Sequence, residues 1–333
     1  MTSKDSTHHE YIVRAVEAGC DVITEKPMTT DAAKTRLILD AVAKTGRSVQ
    51  VAFNYRWSAH RTKVRELIAS GIIGRVVNVN VEYLLNTSHG ADYYRRWHAT
   101  MADSGGLLVH KSTHHLDLVN WWIDAIPDQV FAYGRLDFYG RKNAVARGEA
   151  DLTKYARYTG EAAAKNDPFA MDIREHERYA GTLFRRRGGE TGYVRDRNVF
   201  RDEIDIYDNM SVIVRYRTGA QLNYSLVSFS PREGTRVSVN GDRGRIEYTE
   251  LHATHIPDID AGQAHARAGG HRGPRPSASS RSSSPATRWV VQRLPGQPRR
   301  VRYDPGRADC SRRRPRRIRS AARPATSRGR RRS

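Results

Sequence analysis

The chain has 333 residues, enough for about two domains and a sizeable core, which excludes a peptide hormone or a small disulfide scaffold. Its two cysteines, Cys20 and Cys310, have neither CxxC nor zinc-knuckle spacing, so a disulfide framework is not expected and a reducing, cytoplasmic setting is the default. The net charge of +21 invites a nucleic-acid or anionic-membrane partner, yet 21 arginines, no lysine and two acidic residues fall within 264–333, leaving only +2 on the rest.

No apolar run approaches the ~20 residues that span a bilayer, and Met1–Glu10 is polar, so neither a membrane partner nor a signal peptide is expected. His9–Ala18 places Ile12, Val13, Ala15 and Val16 on one helical face, and Gly19 ends the helix. Asp21–Thr24 reads as a short buried strand running into Glu25-Lys26-Pro27. Asp31–Thr45 is a second amphipathic helix ended by Gly46, and Val49–Phe53 a strand followed by Asn54-Tyr55-Arg56-Trp57. This alternation predicts a parallel, doubly wound sheet, in which ligands gather at the carboxyl ends of strands, where Lys26 and Arg56 fall.

Beyond Arg56 the pattern changes. Helices are expected at Lys63–Ser70 and Gly106–Ile123, and strands at Val76–Leu85, Asp128–Phe138, Met210–Tyr216, Gln221–Ser228, Arg236–Asn240 and Gly244–Tyr248. Turns at Thr218-Gly219 and Gly241–Gly244 would make the later strands an antiparallel meander. Residues 141–206, mixed in charge and rich in aromatics, read as a long ordered excursion. Residues 263–333 are Arg-, Pro- and Ser-rich with few core formers, and are expected to be a disordered tail. That tail is either an arm that grips phosphates or a GC-rich stretch read out of frame; no zinc finger, RNA-binding signature or basic zipper accompanies it, so nucleic acid is not the expected partner. The fold class is α/β plus α+β: a partial doubly wound, Rossmann-like domain (1–57), an open, mainly antiparallel sheet domain for substrate and dimerisation (58–262), and the tail (263–333).

His8, Glu17-Ala18-Gly19, Glu25-Lys26-Pro27, Asn54-Tyr55-Arg56, and Gly105-Gly106 leading to His114 and Asp117 form an ordered set. In order and spacing the set resembles the Gfo/Idh/MocA family of glucose–fructose oxidoreductase and inositol dehydrogenase, over roughly residues 1–250. The resemblance implies an oxidoreductase moving a hydride between NAD or NADP and a hydroxyl carbon of a sugar, cyclitol or related polyol, and a homo-oligomer assembled through the open sheet. It places His8, Glu25, Lys26 and Pro27 at the cofactor, with His9 leaving the register of His8 open by one residue. It makes Lys26 and His114 catalytic. Hydride removal leaves a developing carbonyl, so the hydroxyl proton needs a base, which imidazole suits, and an ammonium can steady the oxygen.

On a continuous helix at about 100° per residue, Leu108, Leu116, Val119 and Ile123 face the core, and His110, His114, Asp117 and Trp121 share the opposite stripe. The family's aspartate four residues before the histidine is replaced by His110, with Lys111 next. His110 therefore joins the catalytic set, and Arg56, Lys111 and Asp117 are assigned to substrate. Exchanging an anion for an imidazole beside an ammonium either draws an anionic substrate, held by Lys111 and Arg56, or is neutral variation in a polar pocket. His110, His114 and Asp117 could also share one divalent metal, although the resemblance requires none. No GxGxxG pattern precedes Lys26, so the first two or three βα units and the pyrophosphate site are expected to be absent, with Met1 an internal start and the activity of such a chain in doubt. The alternatives are a non-enzymatic scaffold or nucleic-acid binding through the arginine arm.

Overall fold

The first helix forms because its apolar residues recur at helical spacing: α1 (His8–Glu17) buries Ile12 and Val16. Strand β1 (Val22–Thr24) follows, then α2 (Ala32–Thr45), whose N-terminus is capped by the Asp31 carboxylate accepting from the Lys34 amide. Gly46 closes α2 at φ +66°, a left-handed position that disfavours side chains. Strand β2 (Val49–Val51) lies parallel to β1 with Val22 opposite Val49, as expected of a doubly wound unit. Ile12, Val16, Val22, Ile38 and Ala41 make a small core of their own. The structure is a computed structural model and describes residues 2–175, 193–252 and 287–293.

A 3-10 turn at Asn54–Trp57 leads into α3 (Ala59–Ala69) and β3 (Val76–Asn86), where Val79, Val81, Tyr83 and Leu85 are buried on one face. Then come α4 (Thr87–Arg95), α5 (Met101–Ser104), α6 (Gly106–His110), α7 (Thr113–Ile123), β4 (Pro127–Arg135), α8 (Arg141–Ala146), β5 (Asn209–Tyr216), β6 (Gln221–Ser230), β7 (Gly234–Gly241), β8 (Gly244–Leu251) and β9 (Thr287–Arg293). Val64, Leu107, Leu118, Val119 and Trp122 from the helices pack against the buried faces of the strands in a second, larger core. No helix among the described residues is long and apolar enough to cross a membrane.

Three expectations are corrected. The strands do not run as an uninterrupted meander: the sheet order is β4-β5-β6-β3-β7-β8-β9, with β3 inserted between β6, to which it is parallel, and β7, to which it is antiparallel. The backbone groups along both edges of β3 are paired by β6 and β7, a non-local pairing that hairpin turns alone do not reveal. The helix over 106–123 is broken. The amides of Lys111 and Ser112 both donate to the Leu107 carbonyl, at 2.9 and 2.8 Å, which resets the wheel between α6 and α7. Leu107, Leu118 and Trp122 are consequently buried, whereas Leu108, Leu116 and Ile123 are only partly so. Finally, the tail is not disordered throughout, because residues 287–293 form β9, pairing antiparallel with β8 and burying Val291. The rest of 263–333 apart from β9, and 176–192 of the excursion, lie outside the described residues.

The open sheet leaves apolar side chains on display. Phe131 of β4 is paired with Ile213 of β5, and Tyr133 stands two residues along on the same face. All three are more than half exposed.

Candidate active site

Strand β1 ends at Thr24 and carries the chain into Lys26, whose backbone bond to Pro27 is cis. The Lys26 side chain crosses to the break between α6 and α7. Its Nζ donates to the His110 carbonyl oxygen at 2.9 Å and stands 3.3 Å from His110 Nε2. The other ring nitrogen of His110, Nδ1, is hydrogen-bonded to the carboxylate of Asp5, in the 3-10 turn Asp5–Thr7 that precedes α1. A line of three groups results: carboxylate, imidazole, ammonium.

Burial dominates the electrostatics. Asp5 is 3% exposed, and desolvation pushes its carboxyl up to about 7, against the opposing pull of the Lys26 and Arg96 charges. The same cause brings the Lys26 ammonium down to about 8, with Asp5 and Glu25 resisting and Lys111 and Arg96 assisting. His110 is held well below the ordinary imidazole range, first by burial and then by Lys26. At neutral pH it is an uncharged ring, donor at one nitrogen and acceptor at the other.

His114 lies in the first turn of α7. Its ring stacks on Tyr55 at 4.0 Å, with Phe53 edge-on at 6.3 Å, and its buried Nδ1 meets no protein hydrogen-bond partner. Burial, then the charges of Lys26 and Lys111, lower its pKa to about 3. Lys26, His110 and His114 are therefore gathered as expected, at the carboxyl ends of β1 and β2.

The remaining candidates divide. His8 is fully buried, with Nδ1 2.8 Å from the Pro27 carbonyl oxygen and Nε2 3.2 Å from that of Ser3, so it props the Glu25-Lys26-Pro27 turn from behind. Glu25 is exposed and Pro27 buried. Arg56 and Asp117 meet each other: the Arg56 guanidinium grips the Asp117 carboxylate through two hydrogen bonds, Nε to Oδ2 at 2.7 Å. Sequence reasoning assigns the two to substrate; the structure pairs them with each other. Lys111 donates to the Tyr55 hydroxyl at 2.9 Å and lies over the rings of Tyr55 and Tyr83. The shared-metal arrangement fails, because Asp117 is taken by Arg56 and His110 by Asp5 and Lys26. Among the described residues no group of three or more His, Cys, Asp or Glu is placed to hold a metal ion.

Sequence reasoning passes over Asp5, whereas His98 belongs to the Tyr93–His98 stretch that the sequence leaves open between a sugar-pocket wall and an ordinary loop. Asp5 sits in a polar stretch with no periodicity, and no local signal marks it. His98 stacks on Trp97 at 3.7 Å and meets the His110 ring edge-on at 4.3 Å, and burial drives its pKa down to about 2. Glu233 is also drawn in from the start of β7, through His89 at 2.9 Å, and its carboxyl is lowered by His89 and Lys111 against the cost of burial. A depression of about 670 Å³ lies elsewhere, on the open sheet face by Asn80, Glu82, Arg236 and Glu247, and none of the catalytic candidates lines it.

Comparison with known proteins bears on this geometry. Residues 1–53 match the Gfo/Idh/MocA profile described as "Oxidoreductase family, NAD-binding Rossmann fold", and residues 65–268 the one described as "Oxidoreductase family, C-terminal alpha/beta domain". The chain is 39% identical over 268 residues to YteT of Bacillus subtilis (strain 168), whose name assigns it provisionally to the oxidoreductases; the match covers 76% of this chain and 60% of YteT. It is 31% identical over 126 residues to an inositol 2-dehydrogenase of Rhizobium meliloti (strain 1021), covering 38% of this chain and 36% of that enzyme. Among solved structures, the WlbA dehydrogenase of Chromobacterium violaceum, in complex with NADH and UDP-GlcNAcA, superposes with a TM-score of 0.50 at 16% identity, covering 81% of this chain and 62% of that one, a likeness of fold alone. The chain thus spans less than two thirds of the length of each of these relatives.

Proposed function

The chain belongs to the Gfo/Idh/MocA oxidoreductase family, and from that premise we propose that its site serves NAD- or NADP-linked oxidation or reduction at a hydroxyl-bearing carbon of a sugar, cyclitol or related polyol. The observation that carries this reading is that Lys26, just past the end of β1, is held by His110 at the break between α6 and α7, while the buried His114 ring, stacked on Tyr55 just past β2, lies near enough to feel the Lys26 charge.

The residues present fit the nicotinamide end of a dinucleotide. Thr29 Oγ1, three residues past Lys26, and His114 Nδ1 are buried polar atoms without protein partners, which a polar ligand in this pocket would satisfy. The main chain at Glu25, Lys26 and Pro27 would border the ring, braced by His8. When bound, the nicotinamide accepts or gives the hydride. No residue is assigned to the pyrophosphate, since no GxGxxG pattern precedes Lys26.

Of the three ammonium protons on Lys26, two go to the carbonyl oxygen and Nε2 of His110, which leaves one for the substrate oxygen. Donation from Lys26 favours the negative charge that develops there. His114, uncharged, takes the hydroxyl proton during oxidation and returns it during reduction. Its depressed basicity rises as negative charge appears on the oxygen between it and Lys26.

An uncharged substrate suits this pocket better than a carboxylate. Arg56 is already neutralised by Asp117, and Lys111 donates to the Tyr55 hydroxyl and feels the charge of Glu233. The exposed Phe131, Tyr133 and Ile213 support a homo-oligomer through the open sheet, and the two separate cores support a junction near residue 57.

The test is turnover of NAD and NADP with a panel of cyclitols, hexoses and hexuronates, alongside the thermal shift given by each cofactor. Reduction of either cofactor by a neutral polyol, lost in Lys26→Met, is the expected result. Absence of turnover together with absence of any cofactor-induced shift would refute the reading.

A further inference from the structure

Asp5 belongs to no motif that carries the family resemblance, yet it is almost fully buried beside the one lysine the proposed chemistry needs. Replacing the helix carboxylate by His110 would leave Lys26 facing an imidazole able to present either nitrogen as donor. A donor at Nε2 would oppose the Lys26 ammonium. While Asp5 is ionised, the hydrogen bond between His110 Nδ1 and its carboxylate excludes that tautomer, because a carboxylate can only accept, so the lone pair stands on Nε2, 3.3 Å from Lys26 Nζ.

We propose that Asp5 is a positioning residue for Lys26, acting through His110: it fixes the His110 tautomer and supplies, from the turn before α1, the negative charge that keeps Lys26 an ammonium. The proposal rests on the reading of Lys26 as the group that binds the reacting oxygen. Lys26 faces Asp5 and His110 directly, with Glu25 as a second anion and Lys111 and Arg96 as opposing cations; Asp5 faces Arg96 besides Lys26, and the His98 ring closes the far side of His110. Among the described residues, Asp5 combines an anionic charge with a hydrogen-bonded path to Lys26 through His110. The carboxyl at about 7 and the ammonium at about 8 mean that the ion pair is complete only over a narrow band around neutrality.

The experiment titrates Lys26 in the full chain by its pH-dependent reaction with an amine-acylating reagent, followed by peptide mass spectrometry, with exposed Lys4 as internal reference. Asp5→Asn keeps an acceptor for His110 Nδ1 but loses the charge, and is expected to lower the Lys26 midpoint by about one pH unit, a tenfold change in its protonation equilibrium. Asp5→Ala is expected to lower it at least as far and also to release the His110 tautomer. A wild-type Lys26 midpoint in folded Asp5→Asn and Asp5→Ala overturns the proposal. Should either variant fail to fold, nitrogen NMR of His110 in the unmutated chain decides: an Nδ1-protonated ring supports it, an Nε2-protonated ring refutes it. If the Lys26 midpoint responds to Asp5→Asn while no nicotinamide-linked turnover exists, the Asp5 role stands and the dehydrogenase reading falls; Lys26-dependent turnover with an unresponsive midpoint gives the converse.

Discussion

Lys26 Nζ is 2.9 Å from the carbonyl oxygen of His110 and 3.3 Å from its Nε2, so one residue at the end of α6 holds the ammonium twice, by backbone and by side chain. Two bonds to one residue aim the third proton, and the aim depends on a tetrahedral ammonium. Lys26→Met is accordingly expected to lower kcat by about 10²–10³-fold, the scale on which loss of one preorganised donor is felt. Lys26→Arg is expected not to restore it, because a planar guanidinium cannot make this pair of bonds and still point a donor at the same place. Steady-state kinetics with a neutral polyol measures both; an arginine variant retaining more than half of wild-type kcat would contradict the geometry.

The pH dependence of turnover should follow from Asp5 and Lys26, not from the histidines. His110, His114 and His98 are all uncharged well below neutrality, so none of them changes state between pH 6 and 9. Activity is expected to rise through about 7 as Asp5 ionises and to fall through about 8 as Lys26 loses its proton. As the two groups interact, the limbs belong to the pair. A profile of kcat/KM in which activity keeps climbing above pH 9 would show that Lys26 acts as an amine base instead of an ammonium.

The elements that carry Lys26 and His114 are legible in the sequence, and the features that are not share a cause. Periodicity exposes the strand end and the helix on which Lys26 and His114 sit, and the family resemblance picks out those two residues on them. Asp5 reaches His110 across 105 positions of sequence from a turn with no pattern at all. The mutual capture of Arg56 and Asp117 is likewise a tertiary fact, since nothing in either segment names the other as its partner. The break at Lys111-Ser112 arises from amides competing for the Leu107 carbonyl, a backbone adjustment without a breaker residue to announce it. The insertion of β3 between β6 and β7, and the pairing of β9 with β8, join strand edges far apart in sequence.

Buried uncharged histidines also make stability depend on acid. His98 and His114 have folded pKa values of about 2 and about 3, and His110 and His115 are lowered too, all below the unfolded value of 6.5. Below pH 6.5 the unfolded chain binds protons that the folded chain refuses, so each ring removes about 1.4 kcal/mol per pH unit as pH falls. Asp5, Asp167 and Asp208, whose carboxyls are raised by burial, work in the other direction over part of that range. Four rings outweigh three carboxyls, and the midpoint of thermal unfolding is expected to drop between pH 6.5 and 5. His98→Phe, which keeps the stack on Trp97, should make that slope shallower. An unchanged slope in this variant would mean that His98 is protonated in the folded state.

The pairing of Arg56 with Asp117 gives the sharpest test of substrate charge. Asp117 is nearly buried while the Arg56 side chain is about one-third exposed, so the carboxylate is the residue whose loss leaves a charge uncompensated at the pocket. Asp117→Asn keeps the shape and is expected to cost about 1 kcal/mol of stability, the lower end for a charge-assisted bond because Arg56 can turn to water. Its effect on selectivity should be larger. With the Arg56 charge no longer neutralised, the KM for a hexuronate is expected to fall several-fold relative to that for the matching neutral hexose. A ratio of the two KM values that does not move would place Arg56 away from the substrate altogether, and its bond to Asp117 would then serve only to fasten the Asn54–Trp57 turn to α7.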